Sequence, residues 1–166
     1  MSDDKKDARP ATRMMHAGRR SEWTGRVVNT PVWRASTHLY DNEAQRKAAT
    51  GSNADGEFFY GRRGAPTQWS LAEALTEIEP GAHGTVLYPS GAAAIAGCML
   101  AVVKPGDEVL ISDNAYDPTR SFGTGLLKRI GITPRFFDPL DLDGFARLFS
   151  ANTKAVWFES PGSLTM

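Results

Sequence analysis

The sequence predicts an α/β fold: a three-layer αβα arrangement in which a mostly parallel sheet carries helices on both faces. Three observations carry this. Short apolar runs alternate with helical stretches from about residue 64 to the end of the chain. The runs (Thr85–Tyr88, Glu108–Ser112, Thr133–Phe137 and Lys154–Phe158) are continuous rather than polar on every second residue, as strands buried on both faces are. Each is separated from the next by enough residues for a crossover helix, which parallel neighbours require.

The elements follow in order. Residues 1 to about 12 read as a mobile tail. From there to Arg63 the chain is irregular, with a β-like run at Thr30–Tyr40, a polar helical piece at Asn42–Ala49 and the loop TGSNADGEF. No apolar period repeats in this section, so it cannot form a core alone. Residues 1–63 are therefore expected to be an arm lying against something else. Regular structure begins at Ala65-Pro66-Thr67, where Pro66 suits the first position of a helix. Leu71, Leu75 and Ile78 then recur at helical spacing as far as Pro80-Gly81. Strand Thr85–Tyr88 leads to helix Gly91–Val103, closed by Lys104-Pro105-Gly106. Strand Glu108–Ser112 precedes a helix near Pro118–Ile130, and strand Thr133–Phe137 a short helix at Asp143–Phe149. Strand Lys154–Phe158 ends at Glu159-Ser160-Pro161-Gly162-Ser163.

Composition narrows the function. Of 166 residues, 41% are apolar and 23% charged, ordinary for a globular protein. No apolar run approaches the roughly 20 residues of a membrane helix, and the N-terminus lacks an apolar signal core. The single cysteine, Cys98, excludes an internal disulfide framework and fits a reducing cytoplasm. Among alanine, leucine and methionine, it reads as a core residue. Residues 1–63 carry 12 Lys/Arg against 8 Asp/Glu, and residues 64–166 carry 7 against 11. So mild an asymmetry argues against a nucleic-acid binder, though it sets the first third apart. His16, His38 and His83 are scattered and give no metal-ligand spacing. There is no GxGxxG after the first strand, no GxxxxGK[ST], and Ser90 lies outside any GxSxG.

The chemistry should sit at the carboxyl ends of the strands. Three unusual loops follow strands: Pro89-Ser90-Gly91-Ala92, Asp113-Asn114-Ala115-Tyr116 and the ESPGS loop. In the first, a helix N-terminus offers unpaired N–H groups and a positive dipole end, small residues let a phosphate approach, and a hydroxyl adds a donor. The alternative is that Ser90 only caps the helix while the alanines pack against the sheet. In the second, Tyr116 could stack on a flat ligand, whereas Asp113 and Asn114 equally suit a turn. Upstream, Tyr60-Gly61-Arg62-Arg63-Gly64 sets two arginines beside a tyrosine, able to grip a phosphate through charge-assisted bonds. Exposed arginines are more often merely solvated.

Taken together, YGRRGAPTQ (Tyr60–Gln68), YPSGAAA (Tyr88–Ala94), SDNAYDPTR (Ser112–Arg120) and ESPGSLTM (Glu159–Met166) resemble the cysteine/methionine-metabolism family of pyridoxal-phosphate enzymes. The resemblance runs from about residue 12 to the last. It implies the aspartate-aminotransferase-like, fold-type I major domain, with residues 64–166 as its first part and residues 1–63 as an arm contacting a neighbouring subunit. It implies pyridoxal 5′-phosphate as cofactor, its phosphate held by the backbone of Gly91 and Ala92 with Ser90 beside them. Tyr116 would stack on the pyridine ring close to the proton transfers. Tyr60 and Arg62 would reach the phosphate of the neighbouring subunit. Ser163 stands where related enzymes often carry Asn, near the cofactor's phenolic oxygen. That difference, with Arg63 after Arg62, favours the branch that cleaves the amino acid cystathionine by β-elimination.

The resemblance also implies a cytoplasmic homo-oligomer, a tetramer built from dimers that share active sites, with no nucleic-acid or membrane partner. The family's cofactor-bearing lysine, its pyridine-nitrogen aspartate and its substrate-carboxylate arginine are expected beyond residue 166. Residues 1–166 alone are therefore expected to be inactive and poorly soluble or self-associating. Two alternatives stand: a sister activity of the family (cystathionine γ-lyase or γ-synthase, methionine γ-lyase, cysteine desulfhydrase), or a non-catalytic remnant keeping only the phosphate site.

Overall fold

The computed structural model describes residues 8–50, 56–163 and 165. The chain divides into two compact units, one ending at Leu87 and one starting at Tyr88.

In the first unit, helices α1 (Pro10–His16), α2 (Ser21–Thr24) and α3 (Glu43–Ala48) precede a 3₁₀ turn (Gly61–Arg63) and the longer α4 (Pro66–Ile78). Pro66 opens α4, and the Gln68 side chain reaches back to accept from the Ala65 N–H at 3.1 Å. Asn42 caps α3 by accepting from the Gln45 N–H at 2.9 Å. The irregular arm is fastened along α4 by polar bonds rather than by an apolar face. Ser70 donates to the Gly18 carbonyl at 2.6 Å, Thr67 donates to the Pro31 carbonyl at 3.1 Å, and Thr67 accepts from the Trp33 N–H at 2.7 Å. Arg13 and Arg20 pair with Glu77 and Glu73 of α4. One aromatic chain completes the attachment: Trp33 meets Phe58, Phe58 meets Trp69, and Trp69 meets the buried Trp23. The expected stripe Leu71, Leu75 and Ile78 is helical, yet it lies exposed.

The second unit contains α5 (Gly91–Val102), β1 (Glu108–Ser112), α6 (Asp117–Phe122) with a π-helical continuation (Gly123–Leu127), β2 (Thr133–Phe137), α7 (Leu142–Arg147) and β3 (Thr153–Trp157). The three strands pair in parallel in the order β2-β1-β3. Central β1 is buried on both faces, which accounts for its unbroken apolar run Val109, Leu110, Ile111. Val109 and Ile111 cluster with Ile95 and Met99 of α5, with Val103 just after it, and with Phe122 and Leu127 of the next helix. Phe137 of β2 meets Phe145 of α7 with ring centroids 4.5 Å apart. Phe137 and Phe136 alternate across the strand, and Phe136 joins the α5 side. Helices thus cover both faces, as expected. Pro134 stands opposite Val109 in edge strand β2.

Four local expectations are corrected. Thr85–Tyr88 is extended but forms no strand; among the described residues no strand pairs with it, and Val86 is 77% exposed. Strand propensity without a neighbouring ladder does not make a strand. The helix expected at Pro118–Ile130 widens into a π segment after Phe122. There Gly123 lets the helix press against Ile111, whose Cδ1 is 2.9 Å from where a β-carbon would stand, and Thr124 bonds back to the Arg120 carbonyl at 3.0 Å. The last strand starts one residue earlier, at Thr153, and a register shift beside Glu108 accommodates it. Cys98 is exposed rather than in the core. Helix α5 turns Ile95 and Met99 to the core, and the residue before Met99 points about a quarter-turn away.

Candidate functional site

In the second unit the carboxyl ends of β1 and β3 are bound to each other. Ser112, the fully buried last residue of β1, accepts from the Glu159 N–H at 3.3 Å. The Asn114 carbonyl accepts from the Ser163 N–H at 3.1 Å. The Asn114 side chain donates to Thr165 at 3.3 Å and lies so close to Gly162 that a β-carbon there would collide with it. A side chain at position 162 would have to displace the Asn114 amide, and the exposed Ser163 is set beside the loop that carries Tyr116.

Tyr116 is the capping residue just before α6, and its ring is half exposed at 51%. Among the described residues its hydroxyl has no partner. Its backbone N–H donates to Glu159 Oε2 at 2.6 Å. Glu159 Oε1 accepts from the Thr119 hydroxyl at 2.8 Å and from the Trp157 indole N–H at 3.0 Å. Burial pushes the Glu159 carboxyl up, but the bonds from Tyr116, Trp157 and Thr119 prevail and hold it below the usual glutamate range. Asp113 is more than a turn residue. Arg120 Nη1 donates to its carbonyl at 2.6 Å and to its carboxylate, while the guanidinium lies 4.5 Å over the Phe136 ring.

At the N-terminus of α5, Ser90 is the capping residue. Ser90 Oγ caps the helix, accepting from the Ala93 N–H at 3.1 Å, and the Ser90 carbonyl accepts from Ala94. The cap leaves the hydroxyl proton free, and the N–H groups of Gly91 and Ala92 have no partner among the described residues. Nothing lies within 4 Å of a β-carbon placed on Gly91, and the first turn has no acidic residue. Capping and anion binding are therefore compatible here, and a phosphate fits this open, donor-rich turn. Helix α5 ends beside the start of β1 and lays Ile95, Met99 and Val103 along the sheet. Its N-terminus accordingly points toward the carboxyl edge, where Tyr116 and Ser163 stand.

Tyr60 and Arg62 belong to the first unit. The Arg62 guanidinium lies 4.9 Å over the Tyr60 ring, and Ser36 donates to the Tyr60 hydroxyl at 3.4 Å. Neither Arg62 nor Arg63 has an acidic partner among the described residues. Both line a groove of about 810 Å³ with Trp23 and Trp69. Two unpaired guanidiniums beside a tyrosine hydroxyl are chemically suited to an anion. A second groove of about 790 Å³, along α1 and α4, holds none of the expected site residues.

Sequence reasoning gave Glu159 no role, although it opens the ESPGS motif. Its partners at the start of α6, Tyr116 and Thr119, lie about forty residues away in sequence. The only local signal is a carboxylate at the end of a buried strand, next to small hydroxyl residues.

Known proteins resemble this chain in sequence and in fold. Residues 11–166 match the family described as Cys/Met metabolism PLP-dependent enzyme. The chain is 43% identical over 166 residues to the cystathionine beta-lyase MetC of Escherichia coli, covering 100% of the chain and 41% of that protein. It is 44% identical over 155 residues to the cystathionine beta-lyase of Salmonella typhimurium, covering 93% of the chain and 39% of the relative. The chain thus spans about two fifths of the length of these curated relatives. Among solved structures, an O-acetylhomoserine (thiol)-lyase of Campylobacter jejuni, described as putative and carrying N'-pyridoxyl-lysine-5'-monophosphate, superposes with a TM-score of 0.82 at 28% identity, over 95% of this chain and 38% of that one. The metB structure of Corynebacterium glutamicum gives the same TM-score, 0.82, at 24% identity over 96% of this chain and 39% of that one, a likeness of fold alone.

Proposed function

From its place in the Cys/Met-metabolism family of pyridoxal-phosphate-dependent enzymes, to which this chain belongs, we propose that it is part of a cystathionine β-lyase. The reaction is the β-elimination of L-cystathionine with water to homocysteine, pyruvate and ammonia. What carries the reading is the similarity to three relatives named cystathionine beta-lyase, at 42 to 44% identity over 93 to 100% of the chain.

In this reading the Gly91 and Ala92 N–H groups and the Ser90 hydroxyl bind the phosphate of the cofactor, and the dipole of α5 favours its charge. The half-exposed Tyr116 ring would cover the pyridine face, and its hydroxyl, unpartnered among the described residues, would be free to hold or move a proton near the substrate. Ser163 would serve the cofactor's phenolic oxygen. Tyr60 and Arg62 serve the phosphate site of a neighbouring subunit, which makes residues 1–63 an arm acting in trans. Pyridoxal phosphate, when bound, supplies the electron sink that makes the substrate Cα acidic. The complete enzyme is a cytoplasmic homo-oligomer with shared sites. No described helix is long and apolar enough to cross a membrane.

The runner-up is a sister carbon–sulfur activity, favoured by the likeness to the thiol-lyase structure at 28% identity. Product analysis of the complete enzyme with L-cystathionine separates the two. Pyruvate and homocysteine support the β-lyase; 2-oxobutyrate and cysteine, or no cleavage at all, sink it.

A further inference from the structure

We propose that Glu159 is a positioning residue for Tyr116: its carboxylate closes the open N-terminus of α6 and fixes the direction in which the Tyr116 ring leaves the sheet edge. The proposal rests on the reading of Tyr116 given above. Helix α6 begins without a side-chain cap of its own, because Tyr116 occupies the capping position and its phenol cannot turn back to the helix. The missing acceptor comes instead from the end of β3. Glu159 Oε2 takes the Tyr116 N–H at 2.6 Å, while Oε1 takes the Thr119 hydroxyl at 2.8 Å.

Glu159 is itself held on both sides. Its N–H donates to the buried Ser112 Oγ at 3.3 Å, and the Trp157 indole donates to Oε1 at 3.0 Å. Thr119 is 1% exposed, and its bond to Glu159 is half-buried. The carboxylate therefore cannot swing without breaking several bonds, and the Tyr116 backbone cannot rotate without losing its acceptor. A charge-assisted bond to a backbone N–H is about twice as strong as a neutral one, and a carboxylate at a helix N-terminus is favoured by the dipole. Only the Tyr116 ring is left outside this web, anchored at its Cα and free at its hydroxyl. Such an arrangement suits a group that must present one face to a flat ligand.

The test uses the complete enzyme labelled with ¹⁵N-tyrosine and reads its tyrosine amide signals. Tyr116→Phe deletes one signal and assigns it. The Tyr116 amide proton should resonate downfield and follow a titration with its midpoint below the usual glutamate range. Asp117 in the same turn and the Asp113–Arg120 pair flank this amide, so Glu159→Gln attributes the titration by abolishing it. Thr119→Val should keep the titration but move its midpoint up, since one bond that holds the carboxylate ionised is gone. A Tyr116 amide that is flat with pH, or that titrates identically in Glu159→Gln, overturns the proposal. If Glu159→Gln fails to fold, the parent titration and the Thr119→Val shift decide alone.

In the complete enzyme, Glu159→Gln should lower kcat on the order of tenfold to a hundredfold with KM little changed, the effect of a misplaced group. It should add nothing in a Tyr116→Ala background; an unaltered kcat, or an equal further loss in that background, overturns the proposal. The tie and the role of Tyr116 fail separately. The amide titration reports the tie without cofactor, while Tyr116→Phe turnover reports the ring's hydroxyl.

Discussion

Gly61 lies against the backbone carbonyl of Ala35 so closely that a β-carbon on it would collide with that carbonyl. Its N–H also donates to the neighbouring Ser36 carbonyl at 2.7 Å. This contact seats the 3₁₀ turn that presents Arg62 and Arg63. Gly61→Ala must therefore push backbone against backbone, and it should destabilise the first unit by about 1–3 kcal/mol, the usual scale of overpacking. Urea denaturation followed by tryptophan fluorescence checks this through the Trp23–Trp69 pair. A midpoint equal to the parent's would refute the contact.

Ser90→Ala removes the acceptor that Ala93 uses at 3.1 Å. It should cost about 1 kcal/mol of stability, whereas Ser90→Gly should cost only a few tenths. Comparing the two by thermal denaturation separates capping from any general effect of losing the hydroxyl. In the complete enzyme both should also weaken cofactor retention, since both lose the same donor proton.

For the complete enzyme, Arg62→Ala should weaken cofactor retention by about 1–3 kcal/mol, the scale of a hydrogen bond to a charged group. The guanidinium has no acidic partner among the described residues, so little compensating stability is lost with it. Equilibrium dialysis of pyridoxal phosphate measures the effect. Unchanged affinity would remove Arg62 from the phosphate site.

Acid should loosen the tie at Glu159 in a defined direction. Its carboxyl is held below the ordinary value of 4.5 in the folded chain. The stability it contributes is therefore complete above that ordinary value and is lost as pH falls through the depressed one. The stability difference between the parent and Glu159→Gln should be constant near neutrality and shrink as pH drops below about 4.5. A difference that grows on acidification would reverse the assignment.

Tyr116→Phe keeps the ring and removes only the unpartnered hydroxyl. In the complete enzyme, cofactor affinity should hold while turnover falls by roughly ten- to a hundredfold, within the range of general acid–base effects. An unaltered rate would take the hydroxyl out of the chemistry.

Much of this was legible in the residues, for physical reasons that can be named. The three paired strands could be read because each is a short apolar run, and β1 is buried on both faces. Helix α4 could be read because Pro66 marks its start. Thr85–Tyr88 misled because a strand depends on a partner that composition does not reveal. The π segment escaped notice because its cause, the approach of Gly123 to Ile111, is tertiary. At the candidate site, the helix start at Ser90, Gly91 and Ala92 was legible because a helix N-terminus is a local object. Glu159 was not, because its bonds to Tyr116 and Thr119 span 43 and 40 residues.

Pro134 has a consequence for how the sheet can extend. The Thr133 N–H is directed at the Asp107 carbonyl on the β1 side. In a parallel strand the next residue faces the other way, so the position without an N–H lies on the outer edge of β2. That margin lacks a donor where an incoming strand would need one. The outer edge of β3 carries no proline. The sheet thus has one blunted margin and one receptive margin, and any further strand, from the same polypeptide or from another copy, is directed to the side of Trp157.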